Sequence, residues 1–101
     1  MALQRVAATG DVPEGQVRVF TAGNHSIALC NVGGTFYAVD NLCTHDNGPL
    51  GEGRLSGETV ECPRHGARFD VKTGAVRALP AVRPIKTYSV QVQDGEVMVD
   101  A

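Results

Sequence analysis

The chain has little net charge, no long apolar run and almost no helical periodicity, and each absence removes a class of function. Nine basic and eleven acidic residues leave a formal charge of −2 over 101 residues. They are spread without a basic block, so neither nucleic acid nor an anionic membrane is an expected partner. No apolar stretch approaches the ~18 residues of a membrane span. The start, Met1-Ala2-Leu3-Gln4-Arg5-Val6, lacks the charged opening and long apolar core of a secretory signal. The expectation is a soluble, cytoplasmic protein. No phosphate loop, Gly-rich dinucleotide fingerprint or Ser/His/Asp set is present, which leaves no small-molecule substrate and no direct route for electrons from a nucleotide.

A chain of this size is one domain, residues 1–101, with one modest core; it buries about 60–70% of its unfolded surface. What replaces helical periodicity is alternation. Gln16-Val17-Arg18-Val19-Phe20, Tyr88-Ser89-Val90-Gln91-Val92 and Glu96-Val97-Met98-Val99 repeat with period two and favour β-branched residues. Turn formers punctuate them at Gly23-Asn24, Gly33-Gly34, Ser56-Gly57-Glu58, Thr73-Gly74 and Asp94-Gly95, the last reading as a hairpin turn. The pattern predicts an all-β fold of short antiparallel strands packed as sheets on one another. The middle, from about Asn41 to Val76, reads differently: it is rich in glycine and charge.

That middle third holds the most specific feature. Cys43-Thr44-His45 is followed, after 16 intervening residues, by Cys62-Pro63-Arg64-His65, so each short cluster holds one cysteine and one histidine. Two such loops can present two thiolates to one metal and two imidazoles to another, as in a [2Fe-2S] centre where histidine replaces cysteine on one iron. A tetrahedral Cys2His2 zinc site is chemically open to the same four residues. Zinc sites of that kind usually segregate cysteines and histidines into separate clusters, which these do not. The third cysteine, Cys30, lies in the apolar run Ile27-Ala28-Leu29-Cys30-Asn31-Val32 and reads as a small buried hydrophobe. An odd cysteine fits a reducing compartment. His25, in Gly23-Asn24-His25-Ser26, reads as a surface turn residue.

With its flanking glycines, prolines and aromatics, this motif resembles the Rieske family, and Cys62-Pro63-Arg64-His65-Gly66-Ala67-Arg68-Phe69-Asp70 is similar to the soluble Rieske-type ferredoxins. The resemblance implies an antiparallel β-sandwich with base sheets over about 1–40 and 77–101 and an inserted cluster-binding subdomain over about 41–76. It implies one [2Fe-2S] cluster per chain, Cys43 and Cys62 on one iron, His45 and His65 on the other. It further implies that the segment Leu79-Pro80-Ala81-Val82-Arg83-Pro84 covers the cluster, with Pro80 and Pro84 holding the backbone extended.

Four more positions bear on the potential. Quinol-oxidising members carry a second cysteine pair where this chain has Gly48 and Arg64, and a serine and a tyrosine where it has Ala67 and Phe69. Hydrogen-bond donors aimed at sulfur stabilise the reduced, more negative cluster. Their loss points to the low end of a range of roughly −150 to +300 mV.

An oxygen-activating mononuclear iron needs two histidines and a carboxylate. Only His25 is left over, so the resemblance implies a one-electron carrier rather than an enzyme. Its partners would be proteins: a reductase donor and a terminal oxygenase or related acceptor, met through a small face rimmed by Asp46, Asn47, Pro49, Arg64 and Arg68. The alternatives are the small subunit of an assimilatory nitrite reductase, a ferredoxin of iron–sulfur assembly, and a structural zinc module.

Overall fold

A computed structural model describes residues 3–44, 48–63, 66–79, 81 and 83–101. Among the described residues, eleven strands form three antiparallel sheets. The first joins β1 (Leu3–Ala8), β11 (Glu96–Asp100) and β10 (Val90–Gln93) in that order. The second runs β2 (Val17–Ala22), β3 (His25–Val32), β4 (Thr35–Asp40) and β9 (Thr87–Tyr88). The third runs β5 (Arg54–Ser56), β6 (Thr59–Glu61), β7 (Arg68–Asp70) and β8 (Val76–Ala78). The expected all-β antiparallel architecture is the one observed.

The second sheet is the partition of the molecule. Ile27, Ala28, Leu29 and Cys30 on β3 are all 0% exposed. Ile27 and Leu29 face one cluster, with Ala38 of β4 and with Ala7, Val97 and Val99 of the terminal strands. Ala28 and Cys30 face another, with Val39, Leu50, Val60, Phe69 and Val71. A strand covered on both faces needs apolar residues at every position, which is why this run does not alternate. The outer strands do: along β11, Val97 and Val99 are buried and their neighbours are not.

Two turns show how the chain doubles back. Gln93 pairs with Glu96 across Asp94-Gly95, whose φ values of 51° and 77° are both left-handed. That is the geometry a tight hairpin demands and the reason Asp-Gly serves there. Gly74, at φ +80°, closes the β7–β8 turn: its N–H donates to the Asp70 carbonyl at 2.8 Å and its carbonyl accepts from Ile85 N at 2.9 Å. A Cβ at Gly74 would lie 2.2 Å from the Ile85 carbonyl oxygen, so the approach of the return segment requires glycine. Among the described residues no helix is long and apolar enough to cross a membrane.

Candidate metal centre

The two cysteines sit at the mouths of two loops closed in the same way. Cys43 N donates to the Gly48 carbonyl at 2.8 Å, and Cys62 N donates to the Ala67 carbonyl at 2.7 Å. In each case the cysteine amide reaches the carbonyl five residues on. Gly66 N, donating to the Cys62 carbonyl at 3.2 Å, tightens the second loop further. Each ring encloses the position of a motif histidine. His45 and His65, with Asp46, Asn47 and Arg64, lie outside the described residues.

Both cysteines are carried into one apolar cluster. Cys43 is 0% and Cys62 1% exposed, and they share that cluster with Leu50, Val60, Ala67, Phe69 and Ala81. Three of the expected tuning positions are thereby placed. Gly48 closes the first loop, while Ala67 and Phe69 are buried beside the cysteines with side chains that can donate no hydrogen bond. Buried apolar walls keep water from the sulfurs, and two thiols are the soft donors that iron–sulfur chemistry requires. On its sulfur side the donor set fits an iron–sulfur cluster.

The return segment reaches this apolar cluster through Ala81 and is tied to the first loop at Arg83. Ala81 is 0% exposed within the cysteine cluster. Thr44 Oγ1 donates to the Arg83 carbonyl at 2.7 Å, and Arg83 Nη2 donates back to the Thr44 carbonyl at 3.3 Å. Asp40 N, donating to the Lys86 carbonyl at 2.9 Å, fixes the far end. Pro84 itself is exposed, and Pro80 lies outside the described residues. Leu79 is 75% exposed and Leu42, next to Cys43, is 39% exposed.

Charge nearby is arranged across the third sheet. Glu61 on β6 sits opposite Arg54 on β5 and Arg68 on β7, at 4.0 and 3.6 Å. Asp70 is 5% exposed and accepts from Arg77 Nη2 at 2.8 Å, Lys72 N at 2.8 Å and Thr73 N at 3.3 Å. The Arg77 hydrogen bond, outweighing the cost of burial, holds its carboxyl below the usual aspartate value. Cys30 behaves as expected of a buried hydrophobe, its thiol pushed up to about 12 by burial. His25 differs from the expectation. It opens β3 rather than occupying the turn, and its Nδ1 lies 3.5 Å from the Tyr88 hydroxyl. Strand pairing draws it out of the loop, and Tyr88 comes from the far end of the chain.

Residues 2–89 match the family described as the Rieske [2Fe-2S] domain. The chain belongs to that family. This Rieske chain is 41% identical over 100 residues to the ferredoxin component of biphenyl 2,3-dioxygenase from Rhodococcus jostii strain RHA1, covering 99% of this chain and 94% of that one. It is 48% identical over 92 residues to the 3-phenylpropionate/cinnamic acid dioxygenase ferredoxin subunit of Escherichia coli K12, covering 89% and 85%. Its fold matches the ferredoxin of Sphingomonas yanoikuyae B1 with a TM-score of 0.93 at 39% identity, over 99% of both chains. The Rieske chain is therefore an electron-carrying ferredoxin whose cofactor is a Rieske-type [2Fe-2S] cluster. These relatives favour that reading over the nitrite reductase and assembly alternatives.

Proposed function

We propose that this protein is the ferredoxin component of an aromatic-ring dioxygenase system, taking single electrons from a reductase and delivering them to a terminal oxygenase. The observation that carries the proposal is the pair of loops, each closed by a cysteine N–H on the carbonyl five residues on, that bring Cys43 and Cys62 into one buried apolar cluster. The names of the relatives above support the partners. In this reading Cys43 and Cys62 hold one iron through their thiolates, and His45 and His65 hold the other through imidazole nitrogens, one cluster per chain. The bound cluster supplies reversible one-electron chemistry. Around it, Leu50, Phe69 and Ala81 exclude water from the sulfurs, and the Thr44–Arg83 pair holds the cover in place.

The potential in this reading lies toward the low end of the Rieske range, because Ala67 and Phe69 offer sulfur no donor and Gly48 and Arg64 form no second cysteine pair. Residues 41–76 constitute the cluster-binding subdomain on a base of about 1–40 and 77–101; the separate third sheet supports that division. A cytoplasmic setting suits an odd third cysteine, Cys30, held in the core. The test is a redox titration of the purified protein with visible and EPR spectra and metal analysis. A reversible one-electron step near the low end, with two irons and two sulfides per chain, supports the proposal. A step well above zero overturns the account of the potential, and one zinc with no redox step overturns the function.

A further inference from the structure

We propose that Asn41 is a positioning residue for the centre, stapling together the two feet of the loop that carries Cys43 and His45; the proposal rests on the ligand assignment above. Asn41 leaves the end of β4 one residue before Leu42. Its backbone N–H donates to the Ser26 carbonyl at 3.0 Å. Its side chain then bridges two separate pieces of chain: Nδ2 donates to Ser26 Oγ at 3.1 Å, and Oδ1 accepts from Gly51 N at 2.7 Å. Ser26 belongs to β3, the best-buried strand of the fold. Gly51 lies ten positions further on, past the whole first ligand loop.

Gly51 needs such a partner. It sits in the 3-10 turn Leu50–Glu52, and the first N–H groups of a helical turn have no acceptor within it. Pro49, which precedes the turn, offers no side-chain cap. Asn41 supplies the cap from the opposite end of the loop. Gly51 is also wedged from behind, since a Cβ there would meet Val19 Cγ2 at 2.0 Å and Asn41 Oδ1 at 3.1 Å. The far foot is thus held between β2 and the Asn41 amide, and the near foot is held to β3.

The constraint passes inward by short steps. Leu50, adjacent to Gly51, is 0% exposed in the same cluster as Cys43. Inside the staple the Cys43–Gly48 hydrogen bond closes a smaller ring. The side chain must present a donor to one partner and an acceptor to the other, which an amide does. An aspartate also serves, because the Ser26 hydroxyl can turn and donate to it. An alanine leaves Gly51 N–H and Ser26 Oγ without this partner.

The experiment compares the holoprotein with Asn41→Ala, Asn41→Asp and Ser26→Ala, reading cluster bleaching by excess chelator, the EPR spectrum of the reduced state and thermal unfolding. Losing both bonds and orphaning a partly buried N–H makes loop opening about tenfold more favourable. Asn41→Ala is expected to bleach about tenfold faster, with altered EPR g-values, and Asn41→Asp to return both toward the parent. If Asn41→Ala does not fold, Ser26→Ala, which removes one arm, carries the same test with a severalfold effect. A lowered melting temperature with unchanged bleaching rate and spectrum overturns the proposal, as does an Asn41→Asp protein no better than Asn41→Ala. A Cys43→Ser control separates the two readings. If it keeps the parent's spectrum, the ligand assignment falls; if it loses that spectrum while Asn41→Ala matches the parent, the staple alone falls.

Discussion

Phe69→Tyr and Ala67→Ser each place a hydroxyl at a fully buried apolar position in the cysteine cluster, so potential and stability should be read together. Both side chains are 0% exposed and share the cysteine cluster, and Ala67 faces Cys62 across the loop-closing hydrogen bond of 2.7 Å. A hydrogen bond to a charged acceptor is worth about 1.5–3 kcal/mol. Only the difference between oxidised and reduced sulfur moves the potential. Taking that difference as about 1 kcal/mol, and about 59 mV per tenfold for one electron, each variant should rise by roughly 40 mV. The double variant should rise by up to about twice that, less any coupling between two residues that share neighbours. A buried hydroxyl without an acceptor would instead cost about 1–3 kcal/mol of stability. The assay is therefore a pair: a redox titration and a denaturant midpoint on the same samples. A rise in potential with stability preserved is the expected result. Variants that keep the parent's stability and also its potential would refute the reasoning, since the hydroxyls would then be satisfied by groups that do not sense the electron.

Three further predictions follow from the polar contacts around the centre. Thr44→Val removes the 2.7 Å bond to the Arg83 carbonyl, and its net worth of about 1 kcal/mol should raise amide exchange over residues 81–86 severalfold while leaving β3 protected; equal protection in both proteins would mean the cover is held elsewhere. Asp70→Asn should cost about 1 kcal/mol at neutral pH, a figure kept small because Arg77 is half exposed. Since the Arg77 bond lowers the Asp70 pKa in the fold, its contribution is present above the ordinary aspartate value of about 3.9 and is lost as pH falls through the lower folded value. Urea midpoints of parent and variant should thus differ by a constant amount from pH 5 to 8 and converge below about pH 4; a gap that widens in acid would reverse the assignment. Gly74→Ala forces a side chain into a left-handed residue 2.2 Å from the Ile85 carbonyl, and should cost more than about 2 kcal/mol by the same denaturant measurement.

How much of this was legible beforehand depended on what each feature needs from the sequence. The cysteine and histidine spacing was legible because metal chemistry restricts residue type as well as distance. The strands β10 and β11 were legible because one covered face leaves a period-two trace, and the Asp94-Gly95 turn because few residues accept two left-handed conformations in succession. β3 showed only a continuous apolar run, since both its faces are covered and the alternation is erased. The strands of the third sheet have three residues each, too few to display a period. What marks them is the Arg54–Glu61–Arg68 ladder, a pattern of opposed charges that exists only once the register is known.

The least legible contacts are those that bind the centre to the rest of the molecule. Thr44 and Arg83 are 39 positions apart and Asn41 and Gly51 10, and none of these residues is unusual on its own. Apolar burial leaves a signature along the chain because it acts on every residue of a strand face. A single side-chain-to-backbone bond leaves none, because either partner could be replaced by any residue able to solvate itself. Yet such bonds decide how firmly the first ligand loop and the cover are held, since Cys43 and Ala81 sit in an apolar cluster that exerts no directional hold on either segment. Direction comes from Asn41, which fixes the loop's two feet, from Thr44 and Arg83, which join loop to cover, and from Gly74, which joins cover to the third sheet. In this fold hydrophobic burial chooses which segments meet around the thiols, and a few polar contacts choose how.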